Sequence, residues 1–317
     1  MVSLEGRRSI EAHLRASVPP LGRELTRELL TKSQRLYANL HESAPYAGVR
    51  LHEDMAYGPA ARHRLDIFEP DDSVALRPVL FYVHGGGFVR GDKKSPGLPY
   101  FHNIGVWAAR RGFLGVNTTY RLATTDPAPA AQDDVCAALD WVRQNAAAYG
   151  GDAKRIVIMG HSAGAVLVAD LVARMGEDTR GVVGAIVGSG YYDFARMKNP
   201  GNARNYFGEN YIAHSPLPGL RRSKLPVMVT VGEIETHDFQ DQALTLVNAL
   251  FERDGRLPRF VRQSGQNHYT SCFRIGFGAG DPIEQEIEAF IRLDCAPVQT
   301  CLAPGVVGPA SGLPDRR

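Results

Sequence analysis

The sequence predicts an α/β protein with a mostly parallel central sheet and helices on both faces. Three observations carry that expectation. From residue 78 onward, short apolar runs alternate with stretches of helical length, the pattern of strand–helix–strand units. PVLFYV (78–83) and IVIM (156–159) are apolar without interruption, as expected of strands buried on both faces. The chain has 317 residues, 44% apolar and 22% charged, so it can bury a large core and is neither disordered, collagen-like nor a disulfide scaffold.

Residues 1–48 read as a helical segment, with Leu21, Leu25, Leu29, Leu36 and Leu40 near helical spacing and Pro19-Pro20 and Pro45 as punctuation. VRLHEDMAYG (49–58) and HRLDIFEP (63–70) alternate and end in turn residues, which predicts an antiparallel strand pair. Strand PVLFYV is followed by helix NIGVWAARR (103–111), strand GFLGVNTTY (112–120) and a long helix from Pro129 closed by Gly150-Gly151. Strand RIVIM (155–159), helix AGAVLVADLVARM (163–175), and strands VVGAIVGS (182–189) and PVMVTVG (226–232) come next. Helix FQDQALTLVNALFERDG (239–255), strand PRFVRQ (258–263) and helix PIEQEIEAFIRLD (282–294) complete the series. The domains expected are a helical cap segment at 1–48, a catalytic domain at 49–294 and an irregular Pro/Gly-rich tail at 295–317.

Lys+Arg 36 against Asp+Glu 34 leaves a net charge of +2, without the basic excess of a nucleic-acid binder. Residues 1–16 lack an apolar secretory core, and no uninterrupted apolar run of about 18 residues is present to span a bilayer. A cytoplasmic location is expected. The four cysteines, Cys136, Cys272, Cys295 and Cys301, form no CxxC. Cys136 is expected to be buried, and Cys295 and Cys301 are near enough in sequence to pair if oxidised.

The strongest chemical signal is Gly160-His161-Ser162-Ala163-Gly164, a G-x-S-x-G between an apolar strand and an apolar helix. That is the context of a nucleophile elbow, with the helix N-terminus favouring negative charge at Ser162. His84-Gly85-Gly86-Gly87-Phe88 follows strand PVLFYV, and its glycines let backbone N–H groups reach a substrate oxyanion. A serine nucleophile of this kind needs a histidine base and an acid. The histidines after it are His214, His237 and His268. His268 lies in SGQNHYTS, the polar loop between the last strand and last helix, whereas His214 and His237 read as solvated loop residues. The acid, in chain order between serine and base, is sought in EIETHDFQDQ, which offers Glu233, Glu235, Asp238 and Asp241. GxxxxGK[ST], HExxH and EF-hand patterns are absent from the sequence, so no cofactor and no metal are expected.

HGGGF (84–88), TTYRLA (118–123), the DWV…GGD…GHSAGA block (140–165) and NHYT (267–270) resemble the hormone-sensitive-lipase-like branch of α/β-hydrolase esterases. The resemblance covers about residues 60–295 and implies a cofactor-free carboxylic-ester hydrolase acting on a small-molecule ester. It places Ser162 as nucleophile, His268 as base, and the amides of Gly86, Gly87 and Ala163 as oxyanion donors. GEIE (232–235) is similar to the family's G-E-x-D, which puts Glu235 at the acid and leaves Asp238 as an N-cap of the next helix. Two departures stand out: YRLATTDPAPA (120–130) lacks the PEH of many relatives, and Glu replaces the usual Asp at 235. The elbow, acid and base segments also resemble kynurenine formamidases, which hydrolyse an N-formyl amide, although those usually carry an aromatic where Gly87 stands. Plant hormone receptors of the same branch kept the fold as binding modules and lost the histidine that His268 represents. Tyr191, Tyr192, Phe194, Tyr206, Phe207 and Tyr211 could line an apolar or aryl-ester pocket or form ordinary core. A homodimer is compatible with the sequence.

Overall fold

The computed structural model describes residues 4–72, 76–176, 178–278 and 281–295. It contains a sheet of eight strands among those residues, ordered β1-β2-β4-β3-β5-β6-β7-β8. β1 (Val49–Ala56) and β2 (Arg64–Pro70) form the expected antiparallel pair, and β2 is also antiparallel to β4 (Leu114–Thr118). β3 (Arg77–Val83), β4, β5 (Gly151–His161), β6 (Val182–Gly188), β7 (Val227–Ile234) and β8 (Phe260–Asn267) are parallel. The helices are α1 (Leu4–Ser17), α2 (Arg27–Ala38), α3 (His102–Arg110), α4 (Ala130–Asn145) and α5 (Ala163–Met175), then α6 (Gly201–Phe207), α7 (Leu217–Arg222), α8 (His237–Asp254), α9 (Thr270–Phe273) and α10 (Pro282–Ala289).

The period of two along each strand sorts the core into two layers. Val79, Phe81, Val83, Ile156 and Ile158 face α4, α5 and α8, meeting Leu139, Val168 and Leu246. Their neighbours Leu80, Tyr82, Val157 and Met159 face α3 and α10, meeting Ile104, Trp107 and Ile287. A strand buried on both sides cannot alternate polar and apolar residues, which explains the unbroken runs. Ile158 is fully buried; truncation to alanine there costs about 2–5 kcal/mol.

Two local expectations are corrected. Cys136 is half-buried, not buried; it lies one position off the sheet-facing stripe Ala131, Val135, Ala138 and Leu139 of α4. Asp238 is not an N-cap: α8 starts two residues before the expected Phe239, its N-cap is Thr236, and Asp238 sits inside the first turn. Cys272 and Cys295 are buried free thiols, while Cys301 and the tail from 296 lie outside the described residues.

The chain leaves β3 for β4 on one side and then returns to β5 on the other side. Such a reversal opens a crevice at the carboxyl ends of the strands. HGGGF follows β3 and the serine elbow follows β5, in adjacent strands where Val83 pairs with Gly160. The loop of Glu235 follows β7 and the loop of His268 follows β8, also adjacent, where Ile234 pairs with Asn267.

Candidate active site

Ser162 is the hinge between β5 and α5, and its backbone stands at φ 56°, ψ −123°. A non-glycine residue there is strained. The strain is held in place from both sides: Ser162 N–H donates to Gly188 O of β6 at 2.8 Å, and Ser162 O accepts from Ala165 N–H at 3.0 Å. The turn is so tight that a Cβ at Gly160 would strike Gly164 O, and a Cβ at Gly164 would strike Val83 O. Both glycines of the motif are therefore steric necessities.

In the loop after β3, Gly86 has φ 126° and a Cβ on it would collide with the Arg90 carbonyl. Gly86 O accepts from Val89 and Arg90 N–H, which curls the loop back on itself. None of the turn and loop hydrogen bonds among the described residues uses the amides of Gly86, Gly87 or Ala163 as donors. Ala163 is the first residue of α5, so it has no acceptor one turn back. His84 packs beneath the loop, stacked on Tyr120 at 4.3 Å, and burial pushes its imidazole down to about 4. It is neutral at pH 7.

His268 Nδ1 donates to Glu235, 3.0 Å from Oε1 and 3.2 Å from Oε2. Glu235 is fully buried and His268 is 3% exposed. The other three acids of the loop have different partners. Glu233 accepts from Arg262, Ser264 and the Gly265 amide, and these bonds hold its carboxyl below the usual range. Asp238 accepts from the Lys198 amide at 3.1 Å, and Asp241 pairs with Arg196 at 2.7 Å. His214 is exposed and stacks on Phe207, whereas His237 is exposed at the cavity rim with Nδ1 3.2 Å from Lys198 Nζ.

Ser162, His268, Gly86, Gly87 and Ala163 all line one cavity of about 630 Å³. Among the described residues no hydrogen bond joins Ser162 to His268; such contacts often tighten only with substrate bound. Leu25, Leu30, Phe101, Val166 and Phe273 supply apolar wall, and Arg90, Lys198, Asn199 and Asn202 supply polar wall. Of the six aromatics singled out in the sequence, Tyr191 and Phe194 reach the cavity, and Tyr192, Tyr206, Phe207 and Tyr211 are core.

Two features had no signature in the sequence. The first is the docking of the N-terminal helices on the loop that carries His268. Tyr37 OH of α2 donates to Gln266 at 2.8 Å, Asn267 Nδ2 donates to Ser33 at 3.1 Å, and His41 Nε2 lies 2.6 Å from Phe273 O. The second is His161, whose ring lies 4.7 Å from that of His268. Among the described residues two side-chain groups could geometrically hold a cation. In His161, Glu235 and His268 the carboxylate is already bonded to His268. In Glu53, Asp66 and His102 the Lys93 ammonium, 3.1 Å from Asp66, already takes the cation's place.

The BD-FAE family model matches residues 65–202, which include the elbow and the glycine loop. Carboxylesterase NlhH of Mycobacterium tuberculosis is 42% identical over 106 residues, covering 33% of this chain and 31% of that protein. A probable isoprenylcysteine alpha-carbonyl methylesterase, ICMEL1, of Oryza sativa subsp. japonica is 29% identical over 223 residues, covering 68% of this chain and 49% of that protein. The chain thus spans a third to a half of the length of these curated relatives. Among solved structures, a Pyrobaculum calidifontis esterase superposes with TM-score 0.64 at 23% identity, covering 93% of this chain and all of that one. The chain has the α/β-hydrolase fold. Esterase B from Lactobacillus rhamnosis superposes with TM-score 0.66 at 16% identity over 89% of this chain and 93% of that one. The motif-borne resemblance to esterases of the hormone-sensitive-lipase-like branch agrees with these matches.

Proposed function

We propose that this α/β-hydrolase hydrolyses carboxylic esters through Ser162, His268 and Glu235. The observation that carries the reading is the buried fork from Glu235 to His268 Nδ1, on the same cavity as a strained serine and a glycine loop with free amides. Glu235 fixes the tautomer with Nδ1 protonated, which leaves Nε2 as the basic nitrogen. Ser162 Oγ attacks the ester carbonyl carbon as its proton passes to Nε2. The carbonyl oxygen becomes an oxyanion, accepted by the amides of Gly86, Gly87 and Ala163; one such donor is worth about 3–4 kcal/mol in the transition state. The C–O bond then breaks, Nε2–H protonates the leaving alcohol, and the acyl group stays on Ser162. Water, deprotonated by Nε2, attacks the acyl carbon; the bond to Ser162 Oγ breaks, Oγ takes the proton back from Nε2, and the carboxylic acid leaves.

Leu25, Leu30 and Gln34 line the cavity from the N-terminal segment, which supports reading residues 1–48 as a cap. The apolar wall suits an acyl or aryl group of moderate size, the cavity being comparable to sites for small molecules. Glycine at 87 supports ester over formyl-amide hydrolysis. It has φ 63°, where a residue with a side chain is strained, and an aromatic there would have to push the Asn202 side chain aside. The test is a panel of p-nitrophenyl esters from C2 to C12 together with N-formylkynurenine. Turnover of short or medium esters with little action on the formyl amide supports the reading. Turnover of the formyl amide alone, or of nothing by folded protein, defeats it.

A further inference from the structure

β5 and β8 are not neighbours; β6 and β7 lie between them. Ser162 follows the first of these strands and His268 the last, 106 positions apart in sequence, yet their registry must be good to a fraction of an ångström for proton transfer. One side chain bridges the gap. His161 is the last residue of β5, covalently adjacent to the nucleophile, and its ring reaches over β6 toward the base loop. Gly188 of β6 leaves that path open: a Cβ there would stand 3.4 Å from His161 Cδ2 and 2.8 Å from Thr230 Oγ1.

At the far end His161 Nε2 lies 3.3 Å from Ser271 Oγ, and Ser271 Oγ donates to the His268 carbonyl at 2.8 Å. The serine proton is used on that carbonyl, so Nε2 of His161 must carry a proton and donate to Ser271. The ring of His268 is then held on three sides. Glu235 takes Nδ1, Phe239 covers one side at 4.6 Å, and His161 covers another at 4.7 Å. Burial, the largest cause, keeps the His161 imidazole well below its ordinary range. It therefore sits beside the base as a neutral donor that adds no repulsive charge to the imidazolium formed during the reaction.

We propose that His161 is a positioning residue, clamping the base loop to the nucleophile strand through Ser271 and the His268 backbone. This rests on the ester-hydrolase reading of the same site. A ring that merely filled space could be replaced by another side chain of similar volume; a clamp needs the donor. Glutamine places an amide N–H close to where histidine places Nε2–H, whereas leucine does not.

The experiment compares the unsubstituted protein with His161→Leu, His161→Gln and Ser271→Ala. It measures kcat and KM on p-nitrophenyl butyrate, the melting temperature, and the rate at which a fluorophosphonate labels Ser162, which needs an activated serine but no ester turnover. The clamp predicts a kcat loss of about 10–100-fold in His161→Leu with KM within twofold, since small misplacements cost about that much. Labelling should slow in parallel, and His161→Gln should recover most of both. Ser271→Ala should show a smaller kcat loss at an unchanged melting temperature. Equal kcat and labelling in His161→Leu overturns the proposal, as does His161→Gln behaving no better than leucine. If His161→Leu does not fold, Ser271→Ala decides, and an unchanged kcat there overturns the clamp. An unsubstituted protein whose Ser162 is never labelled sinks the hydrolase reading and the clamp with it. Labelling without ester turnover would sink only the choice of substrate.

Discussion

The site has two halves that were built differently. The proposed nucleophile half, from β3 through α5, is made of two short motifs, each continuous in sequence: HGGGF leads out of one strand, GHSAG out of its neighbour, and the glycines make the contact possible. The base half, from β7 through α9 with α1 and α2 against it, is made of residues brought from both ends of the chain, such as Tyr37 on Gln266 across 229 positions. Chemistry that depends on backbone geometry leaves a motif. Chemistry that depends on side chains meeting across the fold leaves scattered residues whose partners only the structure supplies.

Removing the proposed nucleophile gives the largest contrast. Ser162→Ala should lower kcat by about 10⁶-fold, the loss known when such a unit loses its serine. The melting temperature should hold, because alanine keeps the same Cβ on the strained backbone. Residual turnover within 100-fold of the parent would remove Ser162 from the chemistry.

The acid comes next and probes the base half alone. Glu235→Gln keeps shape but can present the wrong partner to His268 Nδ1, so kcat should fall by about 10⁴-fold. Asp238→Asn should change kcat less than threefold, because Asp238 faces the Lys198 amide rather than the base. The reverse outcome would make Asp238 the acid.

These two residues also mark how far the sequence could be read. The strand–helix series, the antiparallel opening pair, the elbow and the glycine loop were all legible, since each is written in periodicity or in glycine spacing. The choice among four acids in one loop was not written there; it came from family likeness, and the structure adds that Glu235 is the one bonded to His268 Nδ1, with Ile234 and Asn267 in register. Asp238 was misread as a cap because α8 begins two residues early, at a Thr-His-Asp start with no apolar residue to announce it. The pairs joining α2 to the base loop involve serine, tyrosine, glutamine and asparagine, residue types too common in any fold to be recognised by pattern.

Acid should weaken the nucleophile half. His84 is fully buried with its imidazole pushed down to about 4, and His161 is also held low by burial. In the unfolded chain both take up protons near pH 6.5, so the stability gained from keeping them neutral is present above that pH. It is lost as pH falls from about 6.5 toward 4, by about 3 kcal/mol for His84 alone. Asp170 works in the opposite sense: burial pushes its carboxyl up to about 6, so stability is regained as pH falls through that value. Asp170→Asn should therefore steepen the acid loss, read by urea unfolding at pH 7 and pH 4.5. A shallower loss in the variant would contradict this balance.

The smallest effect expected is at the seam with the N-terminal helices. Tyr37→Phe removes one buried hydrogen bond to Gln266 and should cost about 1 kcal/mol, with kcat lowered a few-fold and KM little changed. A change in KM alone would mean that α2 shapes the cavity without steadying the base.

The central claim is that one serine, on the strained turn after β5, carries the acyl group. Peptide mapping of the protein after reaction with a fluorophosphonate tests it most directly. The account predicts a single adduct on Ser162, abolished by Ser162→Ala and much slowed in His268→Ala. An adduct on Ser189, Ser271 or any other serine, or no adduct on folded protein, would contradict it.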